Sequence, residues 1–216
     1  MLELLDKIGD EALAYFEKKN SARDAALQQS RTLIRHCSLA IRAVHRDERD
    51  TAKEHITAAE AIVNTLKQDL RDYPDLFYAG YTRDALKEYV EANITYALIA
   101  GDPLPTPEEL GVDYAPYLGG LGEAAGELRR RVLDMLRDGY SKDAEILLNA
   151  MDEIYSLLVT VDYPDAITGS LRRITDLVRG VTKRTRGDLT TSAQFYDLKR
   201  ALQASGADLE NMPERD

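Results

Sequence analysis

Apolar residues recur at intervals of three and four along almost the whole chain, and runs that alternate apolar and polar residues, as half-buried strands do, are missing. This pattern predicts an all-α fold. The predicted helices cover residues 2–19, 21–47, 50–72, 81–100, 115–138, 141–160 and 164–185, with a short one near 190–204. Asn20 and Ser21 are predicted to cap the second helix and Ser141 the sixth, and Pro164 is predicted to lie near the first turn of the seventh.

The longest predicted loop is "GDPLPTPEELGVDYAP", residues 101–116, which carries four of the seven prolines. The helices on both sides of this loop have strong apolar faces, and neither half of the chain has obvious independence. We therefore predict a single domain over residues 1–216, a bundle of about seven amphipathic helices.

The composition is that of a globular protein, with 44% hydrophobic and 31% charged residues in 216. No stretch is apolar enough for a transmembrane helix, and acids throughout the N-terminal segment do not fit a secretory signal, so we expect a cytoplasmic protein without a membrane partner. The single cysteine, Cys37, excludes an internal disulfide, and its apolar neighbours favour a core position. Neither Cys37 nor the scattered His36, His45 and His55 form a pattern typical of a nucleophile or a zinc site.

The net charge of −10 argues, as an average, against a nucleic-acid partner. Two segments depart from that average: residues 18–46 hold seven Lys or Arg against one acid, and residues 171–186 hold six against one. In the first segment Arg31, Arg35, Arg42 and Arg46 fall within about 60° of one another on a helical wheel, beside the apolar face. Phosphate contacts and salt bridges to an acidic helix elsewhere both explain such a stripe, and so does an ordinary solvated face.

The stretch "DALKEYVEA" places Glu88 and Glu91 one helical turn apart. The residues of this helix predicted to face inward are Leu86, Tyr89, Val90, Asn93, Ile94 and Ala97. A mixed-charge outer face explains the local pattern of Glu88 and Glu91 without any chemistry, because Lys87 lies four residues before Glu91.

A second acidic pair, Glu123 and Glu127, stands four residues apart in "YLGGLGEAAGELRRR". Like charges at this spacing destabilise a helix, and so do glycines inside it. This helix has four glycines, Gly119, Gly120, Gly122 and Gly126. Small residues permit close approach of another helix, a subunit or a ligand. Glu127 has Arg130 and Arg131 as local partners, which indicates a structural role, whereas Glu123 is the better functional candidate. Together Glu88, Glu91 and Glu123 form an oxygen-rich set of the kind that binds Mg²⁺ or Mn²⁺ and promotes phosphodiester hydrolysis.

Several stretches resemble the translin/Trax family. They are "ARDAALQQSRTLIRHCSLAIRAVHR", "KEYVEANITYALIAG", "GVDYAPYLGGLGEAAGELRRRVLDMLRDG" and "LVRGVTKRTRGDL", and they occur in the same order over nearly the whole chain. The resemblance implies an all-α fold, assembly into a hollow oligomer, specifically an octamer, and binding of single-stranded RNA or DNA. The proline loop is short for the family, which indicates a minimal, homo-oligomeric family member. Assembly with a translin-type partner subunit is the alternative.

The resemblance also separates two kinds of subunit. Trax-type chains are Mg²⁺-dependent endoribonucleases with a Glu-x-x-Glu pair and a third acid four residues before the Glu of Gly-Glu-Leu. Here these positions hold Glu88, Glu91 and Glu123, where the third is Glu in place of the family's Asp. The family's basic N-terminal region faces nucleic acid, and this implies such a role for Arg23, Arg31 and Arg46, with Arg35 and Arg42 open to either explanation.

Three rival functions remain open from the sequence. A translin-type binder would hold single strands without cutting them, but such chains have an apolar residue where this one has Glu123. An all-α nucleotide pyrophosphohydrolase would need a later Glu-x-x-Asp, which the Glu123 and Glu127 spacing does not provide. A structural scaffold would leave the glycine-rich, like-charged helix unexplained.

Overall fold

A computed structural model describes residues 2–204, and these form helices and no strand, which confirms the all-α prediction. The helices are α1 (Leu2–His45), α2 (Arg49–Asp69), α3 (Pro74–Phe77), α4 (Gly80–Ala100), α5 (Pro107–Leu110), α6 (Tyr114–Leu136), α7 (Lys142–Thr160), α8 (Asp165–Thr168) and α9 (Leu171–Ala204).

The first two predicted helices are one continuous helix of 44 residues, so the predicted cap at Asn20 and Ser21 is wrong. Inside α1, the amide of Asn20 donates to Asp24 Oδ2 at 3.3 Å, one turn ahead. Neither Gly nor Pro interrupts the chain there, and a polar residue can cap a helix only where the backbone leaves helical geometry. Helix α1 ends instead at a tight turn in which Asp47 has a φ of 59°.

The C-terminal helices also differ from the prediction. The helix expected from residue 164 breaks after α8, because Gly169 and Ser170 have φ values of 64° and 71°. From Leu171 a single helix, α9, continues to Ala204 and absorbs the short helix predicted near residues 190–204. The Ser141 cap is confirmed, since its Oγ accepts from the Asp143 N–H at 3.2 Å.

The proline loop contains a short helix, α5, that the sequence analysis missed. Thr106 Oγ1 accepts from the Glu109 N–H at 3.2 Å, and Glu109 Oε2 accepts from the Thr106 N–H at 2.8 Å. This reciprocal pair is a capping box, which satisfies two backbone donors at the start of the helix.

The chain divides into two compact units. The first comprises Met1–Leu121 with Ile167–Gly169, and in it α1 packs against α2 and α4 around a buried core. This core includes Leu33, Cys37, Ala40, Val63, Leu66 and Ile94. Cys37 is buried in this core, which confirms its predicted core position.

The second unit comprises Gly122–Ala166 with Ser170–Asp216, and in it α7 packs against α9. Its buried side chains include Leu128, Met151, Leu158 and Val178. That the chain forms a single domain over residues 1–216 stays a prediction. Residue 1 and residues 205–216 lie outside the described residues. No described helix combines the length and the apolar character that crossing a membrane requires.

Candidate metal centre and nucleic-acid interface

Helix α4 presents Glu88 and Glu91 at the edge of its buried face. The predicted inward residues Leu86, Tyr89, Val90, Ile94 and Ala97 are buried, and Asn93 is half-buried. Glu88 and Glu91 are each half-buried, unlike the exposed Asp84 one turn earlier. These two carboxylates are therefore less solvated than ordinary surface acids.

Gly120 brings helix α6 into close contact with α4. A Cβ at Gly120 would lie 2.5 Å from the Lys87 carbonyl oxygen and 2.6 Å from Val90 Cβ, which is closer than real Cβ atoms approach. Of the three explanations left open by the sequence, close approach of another helix applies at this glycine. Any larger residue would separate α6 from the turn of α4 that carries Glu88 and Glu91.

The other glycines of α6 have different surroundings. Gly122 faces Ile174 of α9 and Leu158 of α7, so a side chain there would collide with the core of the second unit. Gly126 is exposed, and a Cβ added to it would meet nothing within 4 Å. Close packing therefore does not explain Gly126.

Glu123 lies three residues after Gly120 on the unbroken helix α6, so helix geometry places it one turn beyond the contact with α4. One oxygen from each of Glu88, Glu91 and Glu123 lies within 4.8 Å of the other two, and all three residues are half-buried. No other group of three or more acidic, His or Cys side chains in the described residues meets this condition.

The donor set of this cluster fits a hard divalent cation. Mg²⁺ binds carboxylate oxygens at about 2.1 Å, so ligands on opposite sides of the ion lie about 4.2 Å apart. The three carboxylate oxygens lie within 4.8 Å of one another, which is close to this separation. Carboxylates without imidazole or thiolate also favour Mg²⁺ or Mn²⁺ over softer metals.

The pKa of the Cys37 thiol is affected by burial and by the charges of Glu88 and Glu91. Burial raises the pKa of the Cys37 thiol far above its usual range, and the negative charges of Glu88 and Glu91 raise it further. The thiol is therefore neutral at physiological pH and does not act as a nucleophile.

Glu127 pairs with Arg130, one of its two local arginine partners in the sequence. It is half-buried, and its Oε2 lies 3.6 Å from Arg130 Nη1 in an i,i+3 ion pair. Its structural role beside the carboxylate cluster stays a prediction.

The arginine stripe of α1 is exposed to solvent. Arg31, Arg35 and Arg42 lie on α1 and Arg46 just beyond its end, and none of them pairs with a carboxylate of the described residues. Salt bridges within this part of the chain therefore do not explain the stripe. Arg23 differs, because its Nη1 lies 3.1 Å from Asp24 Oδ1.

Three of the six basic residues of the second segment pair with carboxylates. Arg172 pairs with Asp162 at 3.1 Å, Arg179 with Asp176 at 2.9 Å, and Arg186 with Asp152. Of the two basic segments, the one in α1 is thus the better candidate for binding an anion.

The fold also brings together His36 of α1 and His55 of α2, which the sequence analysis treated as scattered. Their Nδ1 atoms lie 3.2 Å apart, and both rings are partly buried. Burial lowers the pKa of His36, and the neighbouring His55 and Arg35 lower it further. The sequence carried no clear signal for this pair, because His36 lies nine residues before the end of α1 and His55 six residues after the start of α2.

Comparisons with known proteins agree with this architecture. No family model matches the chain. An uncharacterized protein of Methanocaldococcus jannaschii is 30% identical over 191 residues, which span 88% of this chain and 84% of that protein. Two solved structures of AfC3PO, one of them a complex with duplex RNA, match with a TM-score of 0.79 and 31% identity. Each match covers 85% of this chain and at least 95% of AfC3PO.

The chain belongs to the translin/Trax family. The apo structure of NeC3PO matches with a TM-score of 0.78 and 23% identity over 85% of this chain and 96% of NeC3PO, which shows the shared fold. Membership in the translin/Trax family confirms the resemblance found in the sequence. It does not by itself assign roles to the glutamates and arginines of this member.

Proposed function

We propose that this translin/Trax protein is an Mg²⁺-dependent endoribonuclease in which Glu88, Glu91 and Glu123 hold the metal, with Mn²⁺ as a substitute. The observation that carries the proposal is the convergence of three half-buried carboxylates from α4 and α6. Concentrating three negative charges costs stability, and a bound divalent cation would offset part of that cost. Glu at position 123 keeps the charge and ligand type of the family's Asp.

The protein's own residues supply positioning and charge. Gly120 sets the separation of α4 and α6, and the three glutamates would hold the cation beside the reacting phosphodiester. When bound, Mg²⁺ supplies Lewis-acid polarisation of the phosphate and lowers the pKa of a water. Cys37, neutral and buried, takes no part.

RNA binding is supported by the arginine stripe and by the relative AfC3PO, which has been solved with duplex RNA. Four exposed guanidinium groups along one side of α1 and the turn after it, without acidic partners among the described residues, suit the repeated charge of a phosphate backbone. We assign this role to Arg31, Arg35, Arg42 and Arg46, and a lesser one to the ion-paired Arg23. The proposed substrate is single-stranded RNA, with single-stranded DNA as a second ligand.

Assembly is supported by apolar surface on α1. Large side chains near its N-terminus are exposed, among them Leu5 at 58%, Leu13 at 72% and Phe16 at 64%. Contiguous exposed apolar residues of this size mark interaction surfaces. We propose that they pack against further copies of the chain in a hollow homo-octamer, or against a translin-type subunit, in the cytoplasm. Light scattering should give eight chains for the parent, and Leu5→Glu combined with Phe16→Glu should reduce that number.

Cleavage is tested with labelled single-stranded and duplex RNA in Mg²⁺, Mn²⁺ or EDTA. The parent should cut only with metal, Glu123→Gln should lose at least about 100-fold in rate, and Glu123→Asp should retain activity. Glu127→Gln is the matched control, because it removes a carboxylate from the same helix one turn away and should keep most of the rate. Equal rates for Glu123→Gln and Glu127→Gln would refute the metal assignment.

RNA binding is tested separately by titration at several salt concentrations. Arg31→Gln and Arg42→Gln should weaken binding and each reduce the salt slope by about 0.7 for single-stranded RNA. Arg179→Gln is the control, because that guanidinium is already paired with Asp176. Tight binding without any cleavage would make the protein a translin-like binder and return the three glutamates to a structural role.

A further inference from the structure

His36 and His55 form a two-imidazole pair on the α1–α2 hairpin. Their Nδ1 atoms are 3.2 Å apart, and the ring centroids are separated by 5.3 Å with planes inclined at 57°. Both side chains are partly buried, so solvent still reaches them.

Small residues make this approach possible. Ala40, one turn after His36, and Ala52 and Ala59, on either side of His55, are all buried with at most 1% exposure. Alanines at the helix contact let the two backbones approach closely, and the imidazoles at its margin meet. Because both residues stand in regular helices, their positions are fixed before any ligand arrives.

The facing atoms are both ring nitrogens, which limits what can lie between them. A direct hydrogen bond requires one ring to carry its proton on Nδ1 while the other keeps Nδ1 free. With both protons on Nε2, each Nδ1 carries a lone pair, and the two nitrogens lie 3.2 Å apart. Two nitrogens bound to a tetrahedral ion at about 2.05 Å lie about 3.3 Å apart, close to the separation observed here.

We infer that His36 and His55 form a binding site for a borderline transition-metal ion, Zn²⁺ foremost, that joins α1 to α2. Neutral imidazole suits Zn²⁺, Ni²⁺ and Cu²⁺, whereas Mg²⁺ prefers oxygen. The site is therefore chemically distinct from the carboxylate cluster. Two protein ligands leave the remaining coordination positions to water, which partial exposure of the rings permits.

The test compares thermal unfolding of the full chain, freed of metal with a chelator, after addition of Zn²⁺, Ni²⁺ or Mg²⁺. An ion that binds only the folded state raises the midpoint in proportion to its affinity. Zn²⁺ and Ni²⁺ should raise the unfolding midpoint by binding to the histidine pair. Mg²⁺ should not raise the midpoint through this pair. His36→Gln and His55→Gln should each weaken Zn²⁺ affinity by at least about tenfold. Loss of a residue that merely supports a metal ligand already weakens affinity by about that factor.

Two variants separate this site from the others in the chain. His45→Gln removes the third imidazole, also on α1, and should keep the Zn²⁺ response. Glu123→Gln disrupts the carboxylate cluster and should keep it too. A Zn²⁺ response that survives loss of both His36 and His55 would overturn the inference.

A spectroscopic measurement on the parent chain does not depend on how the variants fold. With one equivalent of Cu²⁺, electron paramagnetic resonance should show coupling to two imidazole nitrogens. A spectrum without nitrogen coupling, or absence of any stoichiometric binding, would overturn the inference.

Discussion

Gly120→Ala tests whether the contact between α6 and α4 sets the geometry of the carboxylate cluster. The added methyl carbon would lie 2.5 Å from the Lys87 carbonyl oxygen, whereas such contacts normally occur at about 3.4 Å. The helices must therefore separate locally by about 1 Å. Because the obstructing atom belongs to the backbone of α4, rotation of a side chain cannot relieve it.

The magnitude follows from two opposing terms. Overpacking a tight site costs about 1–3 kcal/mol, while replacing Gly by Ala inside a helix gains about 1 kcal/mol. Gly126→Ala carries only the second term, since its methyl would meet nothing within 4 Å. We expect Gly120→Ala to be less stable than Gly126→Ala by about 1–3 kcal/mol.

The assay is urea unfolding followed by circular dichroism, with Mg²⁺-dependent RNA cleavage measured on the same samples. Gly120→Ala should also lose cleavage under conditions where it remains folded, because Glu123 moves away from Glu88 and Glu91. Gly126→Ala should keep the rate of the parent. Equal stabilities and equal rates for the two variants would refute the argument that Gly120 positions the site.

Three further predictions follow from the described residues. Burial and its raised pKa should protect the Cys37 thiol from alkylating reagents at pH 8, with reaction only after unfolding, as mass spectrometry would show. Leu33→Ala, at a site with 0% exposure, should lower the free energy of unfolding by about 2–5 kcal/mol in a urea titration, and a loss below 1 kcal/mol would contradict its core position. The hydrogen bond from Lys19 lowers the pKa of Asp75, so its stabilising contribution is present above the usual carboxyl pKa of 3.8 and lost as the pH falls through the lowered value. Asp75→Asn should therefore lower the thermal midpoint at pH 7 and leave it unchanged at pH 2.

Local periodicity accounts for the correct sequence predictions. The inward face of α4 and the stripe of Arg31, Arg35 and Arg42 depend only on which residues share a helix side, and 3.6 residues per turn fixes that. The same rule placed Glu88 and Glu91 together. Helix ends were less predictable: the chain passes Asn20 without a break, and it breaks at Ser170 through a positive φ that the residue type did not indicate.

The helical class, the family and the side of each helix on which the charged residues lie follow from short-range spacing and from motifs along the chain. Which helices meet depends on packing in three dimensions. Gly120 and not Gly126 contacts α4, Glu123 thereby joins the glutamates of another helix, and His36 faces His55 across 3.2 Å. Such distances depend on how side-chain volumes fill the space between helices, and a linear pattern of apolar and polar residues does not contain that information.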